Sequence, residues 1–497
     1  MKFERKCWVG MNRGLQVFIG LDAGTSGVRC ICVSEGGSIV AECSADLTVS
    51  QENRKEDAVH EQSPDAWWVS ACEVLQSVSV TLAASGISPD AIGAIAVDGT
   101  SGTLVCLDDT GRPLRPAIMY NDGRSSLQAD ELNSVGVDTC DSLGYRFAAS
   151  FALPKALWIY SEEPGIFKRT RFFAHQADYL TGKLTGRFDT TDYNNALKTG
   201  YDVLEEKWPD WIARWAGIPE RLPNVVAPGE EIGRVTGEAS RETGLPSGLK
   251  VVAGTTDGMA GFLASGAGRR GDCNTTLGTT LVFKAVSTEL AKDENGAMYS
   301  HKLPNGAWLP GAASNTGAAW ISALFKNSDP AQLDRAAATK LPSDSIAYPL
   351  VGRGERFPFL DAAAAGFLCP DVAGVDAYAA YLQGTAFVER LAYEELSSCT
   401  GQEISNVYCT GGGSRSTEWT QIRSNVCNVP YFRPAVPEAA FGTAVLAAAG
   451  SSFGSIDSAA QEMVQLDKTF APDLQLVERY NEKYARFVHM LNERGYI

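Results

Sequence analysis

Phe18 to Val40 reads FIGLDAGTSGVRCICVSEGGSIV, and the fold is decided there. An apolar run ends at Asp22. A Gly-Thr-Ser-Gly turn follows, then a second apolar run, a Glu-Gly-Gly turn and a third run. The pattern predicts strand, loop, strand, tight turn, strand. Glycine lets backbone approach a phosphate, and the amides and hydroxyls of such a turn can donate to its oxygens. Asp22, at the end of the first strand, is placed to hold a metal ion or its waters. A weaker echo, CNTTLGTTLVFKAV, spans Cys273 to Val286. Two hairpins with Gly-Thr turns predict two related halves that grip a nucleotide between them.

The chain has 497 residues. At roughly 150 residues per domain, that length calls for two to four domains. Apolar residues make up 44% and charged residues 21%, the balance of a soluble globular protein. The net charge is −16. No basic patch relieves it: Arg54-Lys55, Lys168-Arg169 and Arg269-Arg270 are too short. Nucleic acid is therefore not an expected partner. A few glycine-rich turns with Mg²⁺ can still bind ATP. Of the twelve cysteines, none forms a CxxC pair, and only four histidines are present. The cysteines read as reduced and mostly buried, and a zinc site is not expected. No apolar run reaches the ~20 residues of a membrane helix. The first seventeen residues carry Lys2, Arg5, Lys6 and Arg13 without an apolar signal core. They read as a targeting remnant or as an untidy start before Met11. The cytoplasm is the expected compartment, with a plastid as the alternative.

Alternating strands and helices predict an α/β class with ligands at strand ends. His60 to Ser85 reads as a helix with Pro64 in its first turn. Ala91 to Val97 is a buried strand leading to Asp98-Gly99-Thr100-Ser101-Gly102-Thr103. Ser126 to Tyr160 reads as helical, with a helix start near Pro154-Lys155. Leu249 to Ala253 is another strand, ending in Gly254-Thr255-Thr256-Asp257-Gly258, and Met259 to Gly268 reads as a close-packed helix. Gly311 to Phe325 reads as a loop feeding a helix, Asp376 to Ser398 as a long helix, and Glu438 to Gly450 as an Ala-rich one. The domain boundary is placed near Gly266, giving an N-terminal domain over 15–265 and a C-terminal domain over 266–497.

Four elements stand in order: DAGTSGVR at 22–29, GTTDG at 254–258, LGTT at 277–280, and TGGGSRSTEW at 410–419 followed by EAAFGTAVLA at 438–447. With HEQSPDAWW (60–68), YNDGR (120–124), DYLTGKLTG (178–186), TTDYNNA (190–196) and GERFPF (354–359), this sequence resembles the FGGY carbohydrate kinases. These belong to the actin/hexokinase/heat-shock-chaperone ATPase superfamily. The resemblance covers Phe18 to about Tyr484. It implies two ribonuclease-H-like α/β domains with an interdomain cleft, sugar on the N-terminal domain and ATP mainly on the C-terminal one.

The same resemblance assigns residues. Asp22 would serve Mg²⁺, with Gly24, Thr25 and Arg29 in the first phosphate motif. Gly278, Thr279 and Thr280 would form the second. Gly412, Gly413 and Ser416 would line the nucleoside pocket, with Trp320 walling the adenine. Asp257 would be the catalytic base. A carboxylate at a strand end can accept the proton that phosphoryl transfer releases. Asp257 can also cap the helix beginning at Gly258. Asp98 is balanced between a turn anchor and a sugar contact. Asp22, Ser26, Ser101, Asp122 and Asp257 are the sugar-binding candidates. Trp67 and Trp68 read as packing, and Lys155 and Arg124 as structural ion-pair partners.

The DGTSGT form of residues 98–103 is similar to the plant and cyanobacterial xylulokinase-like branch, which implies D-ribulose as acceptor and D-xylulose as the alternative. A polyol kinase of the same family, a non-catalytic sugar sensor and a chaperone-like ATPase are the rival readings. The expected partners are a sugar and ATP, with no membrane, and the chain is a monomer or homodimer.

Overall fold

The computed structural model describes residues 16–47, 59–293 and 297–497. Arg54-Lys55 and the basic first residues lie outside them. The chain forms two compact units. One comprises Met1–Ala264 with Val436–Gln465, the other Ser265–Ala435 with Leu466–Ile497. The chain first passes from one unit to the other after Ala264. The segment 436–465, assigned by sequence to the C-terminal domain, packs with the first unit instead.

The first unit is built on the quoted stretch. β1 (Val17–Ala23), β2 (Gly27–Ser34) and β3 (Ile39–Asp46) form an antiparallel meander. β4 (Ile92–Gly99) lies parallel to β1 on its other side. β5 (Glu231–Arg234), β6 (Lys250–Val252) and β7 (Thr255–Thr256) complete a sheet of order β5-β6-β4-β1-β2-β3, with β7 beside β4. Strand alternation sorts β1 between two layers. Val17, Ile19 and Leu21 join a core with Trp67, Val74, Leu75 and Val78 of the helix Pro64–Ala84. Phe18 joins Ala440, Ala444 and Val445 of the helix Ala439–Ala448. Truncating a core residue such as Leu75 to Ala costs about 2–5 kcal/mol. That second helix approaches so closely that a Cβ on Gly20 would lie 1.9 Å from the Ala440 carbonyl oxygen. Only glycine admits the contact.

The second unit repeats the plan. β8 (Asp272–Leu277) and β9 (Leu281–Ala285) form the second hairpin. β10 (Met298–Lys302) and β11 (Trp308–Ser314) extend the antiparallel side. β12 (Asn406–Thr410) and β13 (Tyr431–Pro434) run parallel beyond β8, and β14 (Leu466–Phe470) closes the edge. The order is β10-β11-β9-β8-β12-β13-β14. Both sheets thus run from an antiparallel meander through two parallel strands to an antiparallel edge. Inside the second unit, Arg423 donates two hydrogen bonds to Glu389, at 2.6 and 2.7 Å, with both side chains fully buried. This bidentate pair ties the helix Thr417–Cys427 to the helix Gly374–Thr400.

Three local readings differ. Ser126 to Tyr160 is three helices, Ser126–Val135, Val137–Leu143 and Ala152–Glu162, because Gly136 and the left-handed Gly144 end the first two. Glu61–Gln62 is a short strand before the helix, paired with Ala117–Ile118. Residues 308–314 are strand, and the helix begins only at Ala319. Among the described residues no single helix is long and apolar enough to cross a membrane; the one bent pair that passes by composition includes the packed helix Ala439–Ala448.

Candidate active site

In the first unit, strand register places the acidic residues together. Asp22 of β1 pairs in register with Asp98 of β4, and Thr255 of β7 with Asp98 on its far side. Asp257 begins the helix Asp257–Leu263, directly after β7. Three carboxyls therefore project from adjacent strand ends. Thr256, not Asp257, caps that helix, its hydroxyl accepting from the Met259 amide at 3.3 Å. Asp257 Oδ1 accepts from the Gly258 amide at 2.6 Å.

Asp98 is completely buried, and the Thr443 hydroxyl donates to its Oδ2. Burial pushes the Asp98 carboxyl well above the usual carboxylate range, and the charges of Asp22 and Asp257 add to this. Burial also raises Asp22, while a hydrogen bond from Asp98 opposes the rise. Both carboxyls are thus biased toward the protonated form, Asp98 the more strongly.

The turn after β1 is tied from outside. The Gly24 amide donates to the Gly27 carbonyl at 2.9 Å, and Gln62 Nε2 donates to the Thr25 carbonyl at 2.8 Å. Gln62 is itself held by Trp67 Nε1 at 2.8 Å. Ser26 is exposed. Arg29 on β2 is exposed too, with its Nη1 3.4 Å from Glu438.

Asp122 is buried and saturated. It accepts from the His60 amide at 2.6 Å and from Arg124 Nε and Nη2 at 2.8 and 2.7 Å. Arg124 also pairs with Glu61 at 2.7 Å and lies over the Trp158 ring. The ion-pair role expected for Arg124 is present. Lys155 departs from the same expectation: its Nζ donates to the carbonyls of Gly102 and Phe151, at 2.9 and 3.1 Å. The Ser101 hydroxyl is buried without a hydrogen-bond partner.

In the second unit, Gly278, Thr279 and Thr280 form the turn between β8 and β9, closed by a 2.9 Å bond from the Gly278 amide to the Thr280 carbonyl. The Ala318 amide donates to the Gly278 carbonyl at 2.9 Å. Buried Glu355 holds the neighbouring segment, accepting from Ser314 Oγ, the Asn315 amide and Thr316 Oγ1 at 2.9, 2.6 and 3.0 Å. This accounts for the glutamate of the GERFPF stretch. A cavity of about 490 Å³ opens beside the turn. Gly278 and Thr279 lie on its wall, as do Gly412, Gly413, Ser416 and Asp334. Ser416 also caps the helix Thr417–Cys427 through the Trp419 amide at 3.1 Å. Trp320 is not on the wall. It is fully buried behind it, stacked on Tyr381 with centroids 5.2 Å apart, its Nε1 bonded to Thr385. Ile321, Tyr378 and Trp419 line the cavity.

Sequence reading missed Asp334 and Tyr378, which no motif marks, and gave no role to Trp419 or Thr443, although both lie within quoted motifs; Thr443 is 345 residues from its partner Asp98. Among the described residues no three His, Cys, Asp or Glu side chains form a protein-only metal cage. The hard oxygen donor of Asp22 at a strand end fits Mg²⁺, which takes one or two carboxylates and fills its shell with phosphate and water.

The chain matches the FGGY family of carbohydrate kinases over residues 17–264 for its N-terminal domain and 273–451 for its C-terminal domain. It is 27% identical to a xylulose kinase from Staphylococcus epidermidis over 485 residues, 95% of each chain. Against a xylulose kinase from Streptomyces coelicolor it is 30% identical over 487 residues, 96% of each. The crystal structure of xylulose kinase from Rhodospirillum rubrum superposes with a TM-score of 0.83 at 26% identity, covering 96% of this chain and 99% of that one. With both domains matched in order on a duplicated α/β fold, the chain belongs to the FGGY family of carbohydrate kinases and is a phosphotransferase.

Proposed function

We propose that this kinase transfers the γ-phosphoryl group of ATP to the terminal C5 hydroxyl of a ketopentose, with D-ribulose as acceptor. The observation that carries the ketopentose is near full-length similarity to proteins named xylulose kinase. D-ribulose rests on the loop 98–103, where Ser101 offers a buried, unpartnered hydroxyl and no histidine or glutamine is present. The relatives' names favour D-xylulose as the second reading.

In this reading Asp257 accepts the C5 hydroxyl proton as the oxygen attacks phosphorus, and its bond to the Gly258 amide orients it. Ser101, Ser26 and Asp22 take the sugar hydroxyls. Asp122, its carboxylate already engaged, shapes the site through Arg124 and His60. Mg²⁺, when held by Asp22, neutralises phosphate charge. In the second unit, the turn Gly278–Thr280 presents amides and hydroxyls to the phosphates, and the cavity beside Gly412, Gly413 and Ser416 takes the nucleoside. Thr25 meets the γ-phosphate, and Arg29 supports the first turn. The described cysteines are all free, in keeping with a cytoplasmic enzyme.

The test is sugar-dependent ADP release with Mg-ATP across D-ribulose, D-xylulose, L-ribulose, L-xylulose, glycerol and no sugar. Strong stimulation by D-ribulose supports the first reading, and preference for D-xylulose the second. Response to glycerol alone, or to no sugar, overturns the ketopentose assignment.

A further inference from the structure

Lys155 is a buried cation that the chemistry above does not use. It is 0% exposed, on the helix Ala152–Glu162. Among the described residues no carboxylate pairs with it. Its Nζ instead donates to two main-chain carbonyls, Gly102 at 2.9 Å and Phe151 at 3.1 Å. Burying an ammonium without a counter-ion is costly, so such a residue persists only where it does something packing alone would not. Burial, and next to it the charge of Lys198, hold its pKa well below the usual 10.5. Those two carbonyls take N–H donors that would otherwise be buried without partners.

The loop that Lys155 grips is held at every other point. Both the amide and the hydroxyl of Thr100 donate to Gln176 Oε1, at 3.0 and 2.6 Å. Thr103 Oγ1 pairs with Thr100 Oγ1 at 2.6 Å and accepts from the Tyr120 amide at 3.2 Å. Gly102 sits at φ +87°, and a Cβ there would lie 2.2 Å from the Ser150 carbonyl oxygen, so its carbonyl direction is set by a conformation other residues resist. Among the side chains of Thr100–Thr103 the Ser101 hydroxyl is the one polar group left without a partner; Asp98 Oδ1 and Gln176 Nε2 beside the loop are unpartnered as well. Lys155 thus fixes the Gly102–Thr103 peptide, one residue beyond the Ser101 side chain.

We infer that Lys155 is a positioning residue for the acceptor: by holding the Gly102 carbonyl it aims the Ser101 hydroxyl at a sugar hydroxyl. The inference rests on the ketopentose reading and goes beyond it by naming what builds acceptor affinity from behind the site.

The test compares wild type, Lys155→Met, Ser101→Ala and the double variant, with D-ribulose and D-xylulose as probes. Lys155→Met is expected to raise the KM of the preferred pentulose at least ten-fold. The KM for ATP should stay within two-fold. Ser101→Ala should raise the sugar KM comparably, and the double variant should be no worse than the worse single one. Additive effects, equal rises in both KM values, or an unchanged sugar KM overturn the inference. Lys155→Gln, which keeps one donor, should give a smaller rise. If neither Lys155 variant folds, the lysine is a purely structural element and the inference falls. Failure of the ketopentose reading shows separately: wild type then phosphorylates neither pentulose, whatever the variants do.

Discussion

In the first unit β1 and β4 set Asp22 opposite Asp98; in the second, β8 and β12 set Thr276 opposite Thr410. The flanking sequences correspond: Asp22-Ala23-Gly24-Thr25-Ser26 against Thr276-Leu277-Gly278-Thr279-Thr280. One half places a carboxyl pair before its Gly-Thr turn. The other places two hydroxyls, 2.8 Å apart. A hydroxyl pair satisfies itself and carries no charge, so it suits a turn that must receive an anion. Two adjacent carboxyls resist sharing a buried site unless one keeps a proton. They suit a turn that must hold a cation or manage protons. A duplicated scaffold is thus divided between two tasks at a single register position.

The sharpest way to break this comparison is to remove the proposed base, Asp257, from the acidic half. Asp257→Asn is expected to lower kcat by about 10²–10⁴-fold, the usual contribution of a positioned general base, with folding and ATP affinity intact. Steady-state kinetics and thermal melts check it; an active variant would reassign the base.

Making the halves alike comes next. Asp22→Thr imports the hydroxyl of the second half, and kcat should fall about 10²-fold while the apparent affinity for Mg²⁺ weakens. An unchanged Mg²⁺ titration would show that the carboxyl difference is not what separates the halves.

The acidic half should also respond to pH. Burial, chiefly, raises buried Asp192 from 3.8 to about 7, although it accepts from the amides of Asn194 and Asn195. The folded protein therefore keeps a proton that the unfolded chain releases. This group's stabilisation is fully present below pH 3.8, is lost as pH rises to about 7, and is level above. The loss is on the order of 4 kcal/mol, from roughly 1.36 kcal/mol per pKa step. Denaturant melts between pH 4 and 8 should show a flatter profile for Asp192→Asn than for wild type.

In the hydroxyl half the effects are expected to be small. Thr276→Val should cost about 1 kcal/mol of stability, one hydrogen bond's worth. Trp320→Phe should destabilise by about 1–2 kcal/mol through lost packing, with the KM for ATP within about three-fold. A ten-fold rise in that KM would place Trp320 against the adenine rather than behind the wall.

Much of the fold was legible because its signals are local. The two Gly-Thr hairpins, the strand ending at Asp98 and the helix opened by Pro64 follow from alternation, turn chemistry and capping within a few residues. Residues 126–160 read as helical with a helix start near Pro154-Lys155, and the helix Ala152–Glu162 begins there; the breaks at Gly136 and Gly144 are not legible, since apolar content alone does not show them. At the site, the strand-end positions of Asp22 and Asp257 were readable from motif and order. Trp320 was expected on the pocket wall and lies behind it, because motif position says which segment is near a ligand but not which way a side chain turns.

Sequence by itself determined the duplicated α/β plan, the family, and the two turns, all carried by short-range pattern. Tertiary structure alone decided the rest. It returned residues 436–465 to the first unit, brought Thr443 to Asp98, seated Glu355 behind the second turn and buried Lys155 against two carbonyls. The last three satisfy buried polar groups, wholly or in part, with partners remote in the chain. Which partner arrives depends on how layers pack around the sheets, and no local spacing encodes that.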